Sequence, residues 1–206
     1  MNGVIASMAR RLFDIAGAAV LLVVLAPALL LGALVVLVGS GRPVFFGHER
    51  VGRNGRPFRC LKLRTMHIDA EQHLDREPDL QHRYRNGGYK LPNGSDPRIT
   101  RPGRWLRRTY VDEIPQLLNV LAGTMSLVGP RPVVPSELKE YGTAAAELLR
   151  VKPGIIGEWT SRGRERPEYP ERACLELDYV RNRTPARDLA ILIRTIPVVL
   201  RGQDHS

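Results

Sequence analysis

A chain of 206 residues suffices for one domain plus an appendage, and its net charge of +10 directs it toward anions: nucleic acid, acidic headgroups or phosphorylated substrates. Aromatics at 6% supply little for stacking single-stranded nucleic acid, and two isolated cysteines, Cys60 and Cys174, argue against a disulfide framework or a cysteine zinc site. The five histidines lack metal-ligand spacing.

From Ile15 to Val38 no residue is charged, and nearly all are Ala, Val, Leu or Gly. Two dozen helical residues reach about 36 Å, enough for a hydrocarbon core of about 30 Å. Pro27 falls near the midpoint, where it removes a helix hydrogen bond. Arg10 and Arg11 precede the segment and Arg42 follows it, so the positive-inside bias pulls both ends toward the cytoplasm. Two topologies fit these residues: a straight span kinked at Pro27, or a re-entrant segment broken there. A cleaved signal fits less well, because about ten apolar residues continue past Ala26-Pro27-Ala28.

Pro43 to Gly47 reads as a strand, Asn54-Gly55 as a hairpin turn, and Phe58 to Arg64 as the return strand. That hairpin would bring Arg59 and either Lys62 or Arg64 to the membrane surface. Met66 to Arg85 is highly charged and predicts a helix. Asn86 to Pro97 predicts a loop, and Ile99 to Arg108 a turn entering a short helix.

Thr109 to Leu121 is the richest stretch. Asp112 suits an N-cap, Pro115 suits the first helical turn, and Ile114, Leu117, Leu118 and Leu121 recur at helical spacing before Gly123. Two carboxylates, Asp112 and Glu113, then stand among Arg101, Arg104, Arg107, Arg108 and Arg131. Carboxylates with cations at a helix start suit a phosphate and a divalent metal; a plain capped helix uses the same residues. Arg131, between two prolines, is held extended and suits a phosphate clamp.

Ser136 to Arg150 predicts a helix, Pro153 to Gly157 a turn, and Glu168 to Arg183 a helix carrying Glu176 and Asp178. In the last helix, Asp188 to Arg201, Leu189, Leu192, Ile193, Ile196 and Leu200 line one side, with Arg187, Arg194 and Arg201 every seventh residue. This pattern serves a headgroup layer or core packing equally well.

In order and spacing, these landmarks resemble the bacterial sugar transferases of the monotopic phosphoglycosyl transferase kind. The resemblance rests on Arg11-Leu12-Phe13-Asp14, Ala26-Pro27, Lys62 to Met66, Asp96-Pro97-Arg98, Leu106-Arg107, Val111 to Leu117, Gly123 to Pro132 and Pro153-Gly154-Ile155. It implies an α+β, mainly helical chain: residues 1–41 a re-entrant helix-break-helix in the membrane, broken at Pro27, and 42–206 a compact cytoplasmic catalytic domain with a β-hairpin and amphipathic surface helices. It implies a minimal catalytic form at the bacterial inner membrane, with anionic lipids as neighbours, no nucleic acid, and a homodimer left open.

The resemblance further implies transfer of a sugar-1-phosphate from a nucleotide sugar, typically a UDP-sugar, to a polyprenol phosphate such as undecaprenyl phosphate. The intermediate would be a covalent aspartyl-phosphosugar, with UMP released. Asp112 would be the nucleophile beside Glu113. Arg107, Arg131, Lys62, Arg64, Arg98 and Arg164 would bind phosphate or substrate. Mg²⁺ would sit on Asp112, with Glu113 and Glu176 as further candidates. Thr160 stands where the family commonly has glutamine, and Glu176 where it has aspartate. A membrane-anchored nucleic-acid binder would need a helix-turn-helix, zinc or RNA-recognition signature that is missing here. A lipid-docking adaptor would leave Asp112 and Glu113 idle.

Overall fold

The computed structural model describes residues 2–87, 89, 91, 94–163 and 165–202, with side chains from Ser7 onward. Helix α1 (Asn2–Ser40) runs 39 residues with Pro27 inside it, about 58 Å at 1.5 Å per residue. The helix continues through Pro27, and the re-entrant break expected there is not shown. A proline deletes one hydrogen bond of the ladder, and here the turns on either side of it hold.

One face of α1 is in contact along nearly its whole length. Asp14, Ala18, Gly32 and Val36 are buried, and Leu22, Leu25, Ala28, Leu29 and Ala33 pack beside the core between them. These residues recur at three- and four-residue spacing, the period of one helical stripe. At Gly32 an added Cβ would stand 2.7 Å from Val111 Cγ1 and 2.8 Å from Leu63 Cδ1, so any side chain here would have to displace both. The other face exposes Leu12, Val20, Val23, Val24, Leu30, Leu31, Leu34 and Val38. Packing thus does not stop at residue 41: Ala18 shares a core cluster with Ile114, Leu117 and Val120.

Polar contacts fasten both ends of α1. The buried Asp14 accepts from Ser126 Oγ and from Leu127 N, each at 2.9 Å. Arg11 donates to the carbonyls of Val120 (2.6 Å) and Leu121 (2.8 Å). Arg10 Nη2 stands 2.9 Å from Asp188 Oδ2. At the far end Arg64 Nη2 donates to Ser40 O and Gly41 O at 2.6 and 2.7 Å.

Strands β1 (Phe45–Val51) and β2 (Pro57–Leu63) form the expected antiparallel hairpin, pairing Phe45 with Leu63 and Val51 with Pro57. Asn54 and Gly55 take φ of 58° and 76°, as a tight Asn-Gly turn requires. The charged stretch after it divides into α2 (Ala70–Arg76) and α3 (Pro78–Asn86), because Glu77, before a proline, is extended. Next come α4 (Arg101–Arg108), α5 (Gln116–Ala122) and β3 (Ser126–Val128).

Residues Pro135–Ala144 form a 3₁₀ stretch before the short α6 (Ala145–Leu148), where one helix was expected. Gly142 at φ 51° breaks the ladder. The expected turn at 153–157 is partly a strand, β4 (Gly154–Ile156), paired parallel to β3. Helices α7 (Glu171–Arg181) and α8 (Pro185–Arg201) complete the chain. Tyr179 of α7 and Ile191 of α8 close the main core over Met125, Leu127 and Val128. On α8, Asp188, Ile191 and Thr195 face inward, and Leu189, Ile193, Ile196 and Leu200 are exposed.

Candidate active site

Asp112 and Glu113 lie in a single 3₁₀ turn, Val111–Glu113, entered from Tyr110 at φ 57°. The N-cap expectation for Asp112 is corrected: α5 begins only at Gln116, Pro115 holds the cap position, and Asp112 makes no capping bond. The turn is instead fixed by its neighbours, with Ile114 in the core and Val111 against Gly32 of α1. Asn119 of α5 accepts from Leu61 N at 2.9 Å and donates to Arg59 O at 2.8 Å. That bridge locks β2, and hence Lys62, to the helix that follows the carboxylates.

Lys62 Nζ stands 2.6 Å from Glu113 Oε1. Burial pushes both carboxyls up, but the two end apart. At Glu113 the attraction of Lys62, Arg131 and Arg166 outweighs burial and lowers the pKa. At Asp112, only 5% exposed, burial and the charge of Glu113 prevail over Lys62 and Arg107, and the pKa rises to about 6. The site therefore pairs a firmly ionised glutamate with an aspartate that titrates just below neutrality.

Cations approach from three elements. Arg107 of α4 donates from Nε to Thr65 Oγ1 at 2.8 Å, and burial lowers its pKa against the pull of Asp112 and Asp96. Arg131 lies over the Trp159 ring at 5.3 Å, with Arg166 at 5.0 Å and Arg172 at 4.5 Å from the same centroid. Arg131 Nε and Arg166 Nε are buried without a hydrogen-bond partner, donors available to an incoming anion. Arg166 also donates to Thr160 O at 3.0 Å. His48 sits near Arg50, Lys62 and Arg131; burial and these charges lower its pKa to about 4, so it stays neutral. Two carboxylates whose pKa values are shifted in opposite directions, among cations from β2, α4 and the loops around Arg131 and Arg166, suit phosphoryl chemistry.

The family model described as "Bacterial sugar transferase" matches residues 5–202. The chain belongs to the bacterial sugar transferase family. The transferase is 43% identical over 199 residues to the exopolysaccharide production protein ExoY of Rhizobium meliloti, covering 95% of this chain and 87% of that one. It is 42% identical to a UDP-galactose-lipid carrier transferase of Erwinia amylovora, with 93% and 40% covered. It is 40% identical to an undecaprenyl-phosphate galactose phosphotransferase of Salmonella typhimurium, with 93% and 40% covered. The chain thus spans most of the first relative and about two-fifths of the other two.

Not every residue singled out in the sequence of this transferase reaches the site. Arg64 closes the C-terminal end of α1, as above. Arg98 pairs with Asp96 through two bonds, at 2.9 and 2.8 Å, and both residues are buried. Arg164 lies outside the described residues. Arg187 and Arg194 pair with the buried Glu158 at 3.3 and 2.9 Å, and the Arg194 side chain stays 44% exposed. Thr160 closes its own turn, accepting from Gly157 N at 2.7 Å. Arg166, Arg50, Thr65 and Trp159 were missed as site residues. Three of them had a nearby signal: Thr65 falls within Lys62 to Met66, Trp159 stands beside Thr160, and Arg166 lies two residues beyond Arg164 in the same basic run.

Glu176 is also placed elsewhere. One of its oxygens accepts from Arg131 N at 3.3 Å and the other from Tyr141, deep under the site. Among the described residues no third histidine, cysteine or acidic side chain groups with Asp112 and Glu113. Glu176 does not group with them among the described residues; it holds the Arg131 loop. Two adjacent carboxylates still fit Mg²⁺, which needs only one or two beside water and substrate phosphates.

Proposed function

We propose that this transferase moves a sugar-1-phosphate from a UDP-sugar to a polyprenol phosphate, undecaprenyl phosphate in the bacterial inner membrane, through a covalent intermediate on Asp112. One observation carries the reading: a buried aspartate, titrating near 6, stands beside a glutamate held charged by Lys62. The names of the relatives supply the donor and acceptor classes, and one of them supplies the link to exopolysaccharide production.

In the first step an Asp112 oxygen attacks the sugar-bearing phosphorus, the bond from that phosphorus to the bridging oxygen breaks, and UMP leaves with that oxygen. In the second, an oxygen of the polyprenol phosphate attacks the same phosphorus, and the Asp112 carboxylate departs unchanged. Splitting the transfer in two lets one site serve a soluble donor and a lipid acceptor in turn. Arg107, Arg131 and Arg166 neutralise charge on the diphosphate. Lys62 holds Glu113 ionised and offsets charge next to Asp112. Mg²⁺ held by Asp112 and Glu113 would neutralise pyrophosphate oxygens.

The same proposal places α1 in one leaflet, with Met1 and the catalytic domain both cytoplasmic. Its packed face meets the domain near both ends, from Asp14 to Gly39, and its opposite face is apolar throughout. A helix crossing the bilayer would leave such a domain behind after a few turns. Resting along it, α1 needs no break at Pro27 to keep both ends on one side.

Brief exposure of the purified chain to Mg²⁺ and a panel of UDP-sugars, without acceptor, tests the reaction. We expect UMP release and an equal amount of sugar-phosphate adduct on Asp112 by mass spectrometry. UMP release that requires the acceptor and leaves no adduct would overturn the two-step mechanism.

A further inference from the structure

Helix α4 has a second cationic face that the reaction does not use. Gly103 and Leu106 are buried and Arg107 reaches Thr65, but Arg101, Arg104 and Arg108 are exposed at spacings of three and four. With Trp105 and Gly94 they line an open recess of about 360 Å³. No acidic side chain lines it, and among the described residues none of these three guanidiniums has a hydrogen-bond or ion-pair partner. Like charges at such spacings repel one another on a helix surface, so an anion bound among them relieves that repulsion. Arg181, Arg187 and Arg194, by contrast, are each paired with a carboxylate.

The recess sits where two apolar surfaces end. Pro102 of α4 packs on Gly39 of α1, and Leu106 on Gly32. Gly202, just past α8, packs on the Arg108 carbonyl. Near these ends α1 exposes Leu34, Leu37 and Val38, and α8 exposes Val199 and Leu200. Trp105, 43% exposed, stands among the arginines, the composition of a membrane–water boundary. Guanidiniums at that level meet lipid phosphates, and two or three of them with an indole make a site for a headgroup.

We propose that Arg101, Arg104, Arg108 and Trp105 form a binding site for anionic phospholipid headgroups, separate from the catalytic carboxylates. The proposal rests on the membrane placement of α1 and not on the reaction. Bulk lipid is the occupant, since the acceptor's phosphate must reach Asp112, toward which α4 offers Arg107.

The test uses the full chain in detergent, incubated with phosphatidylglycerol, phosphatidylcholine or a polyprenol phosphate and weighed intact by native mass spectrometry. In the triple variant Arg101→Gln, Arg104→Gln, Arg108→Gln, phosphatidylglycerol retention should fall on the order of a hundredfold, at about fivefold per basic residue. Phosphatidylcholine retention and single-turnover UMP release should not change. The triple lysine variant keeps the charge and should retain the anionic lipid. If the glutamine variant fails to fold, the single change Arg104→Gln should still cost about fivefold. Unchanged phosphatidylglycerol retention would overturn the site, as would equal loss of both lipids. Loss of polyprenol phosphate with phosphatidylglycerol unaffected would reassign the recess to the acceptor and overturn it too. Failure of the reaction reading leaves these lipid counts untouched.

Discussion

Lys62 Nζ stands 2.6 Å from Glu113 Oε1, while Asp112, the neighbouring carboxylate, keeps a pKa of about 6. A nucleophilic carboxylate must be ionised. Activity should therefore rise with pH through about 6 and flatten above it, losing about tenfold per unit below. Single-turnover UMP release between pH 5 and 8 measures this limb. Lys62→Met removes the cation that lowers both groups, so the limb should move to higher pH as the plateau falls. A limb unmoved by Lys62→Met would break the link between that ion pair and Asp112.

Asp112→Asn should abolish transfer and at the same time stabilise the protein at neutral pH. The folded-state pKa is raised, from 3.8 to about 6. Its contribution to stability is thus present below the unfolded value and lost as pH rises through about 6. At pH 7.5 the ionised side chain costs up to about 3 kcal/mol, at 1.36 kcal/mol per unit. The amide removes that cost, so thermal unfolding in detergent should occur later for the variant at pH 7.5 and not at pH 4.

Much of this site was legible because its chemistry is local. Asp112 and Glu113 are adjacent, Arg131 is pinned by prolines, and the Asn54-Gly55 turn returns Lys62 along β2. What failed was reading destination from charge. Arg64, Arg98 and Glu176 carry the right groups, but a helix end, Asp96, and Tyr141 with the Arg131 amide take them up. Sequence displays a charge without displaying what covers it. The N-cap reading of Asp112 failed because Tyr110 adopts a left-handed conformation, uncommon for a tyrosine. The tight turn it opens displaces the start of α5.

The corrected roles separate two groups of arginines. Arg107→Ala, Arg131→Ala and Arg166→Ala should each raise the donor KM or lower kcat/KM by tenfold to a hundredfold, about 1.5–3 kcal/mol for a charge-assisted bond. Lysine should rescue only partly. Arg181→Ala, on the surface, supplies the baseline. Arg98→Ala should behave differently, since it strands the buried Asp96 and costs about 3–5 kcal/mol of stability. Its loss should appear in thermal unfolding and in yield, with donor KM in the surviving folded fraction near normal. Equal donor defects in Arg98→Ala and Arg131→Ala would return Arg98 to the phosphate site.

The last expectation concerns Asp14 and the course of α1. The buried Asp14 carboxylate satisfies Ser126 Oγ and Leu127 N together. Asp14→Ala leaves both donors without it and should cost about 2–3 kcal/mol or more, the penalty for buried groups that lose a charged partner. That cost falls on the contact between the N-terminal half of α1 and β3, so proteolysis near Arg10 and Arg11 should quicken before global unfolding does. A cysteine at Asn2 reads the side on which α1 begins. Cys174 is exposed and is replaced for this test; Cys60 is buried and can remain. In intact cells an impermeant maleimide should label Asn2→Cys only after lysis. Asp14→Ala should leave that result unchanged, since Arg10 and Arg11 still resist crossing. Labelling of intact spheroplasts would mean that α1 spans the bilayer, and the one-leaflet placement would fall.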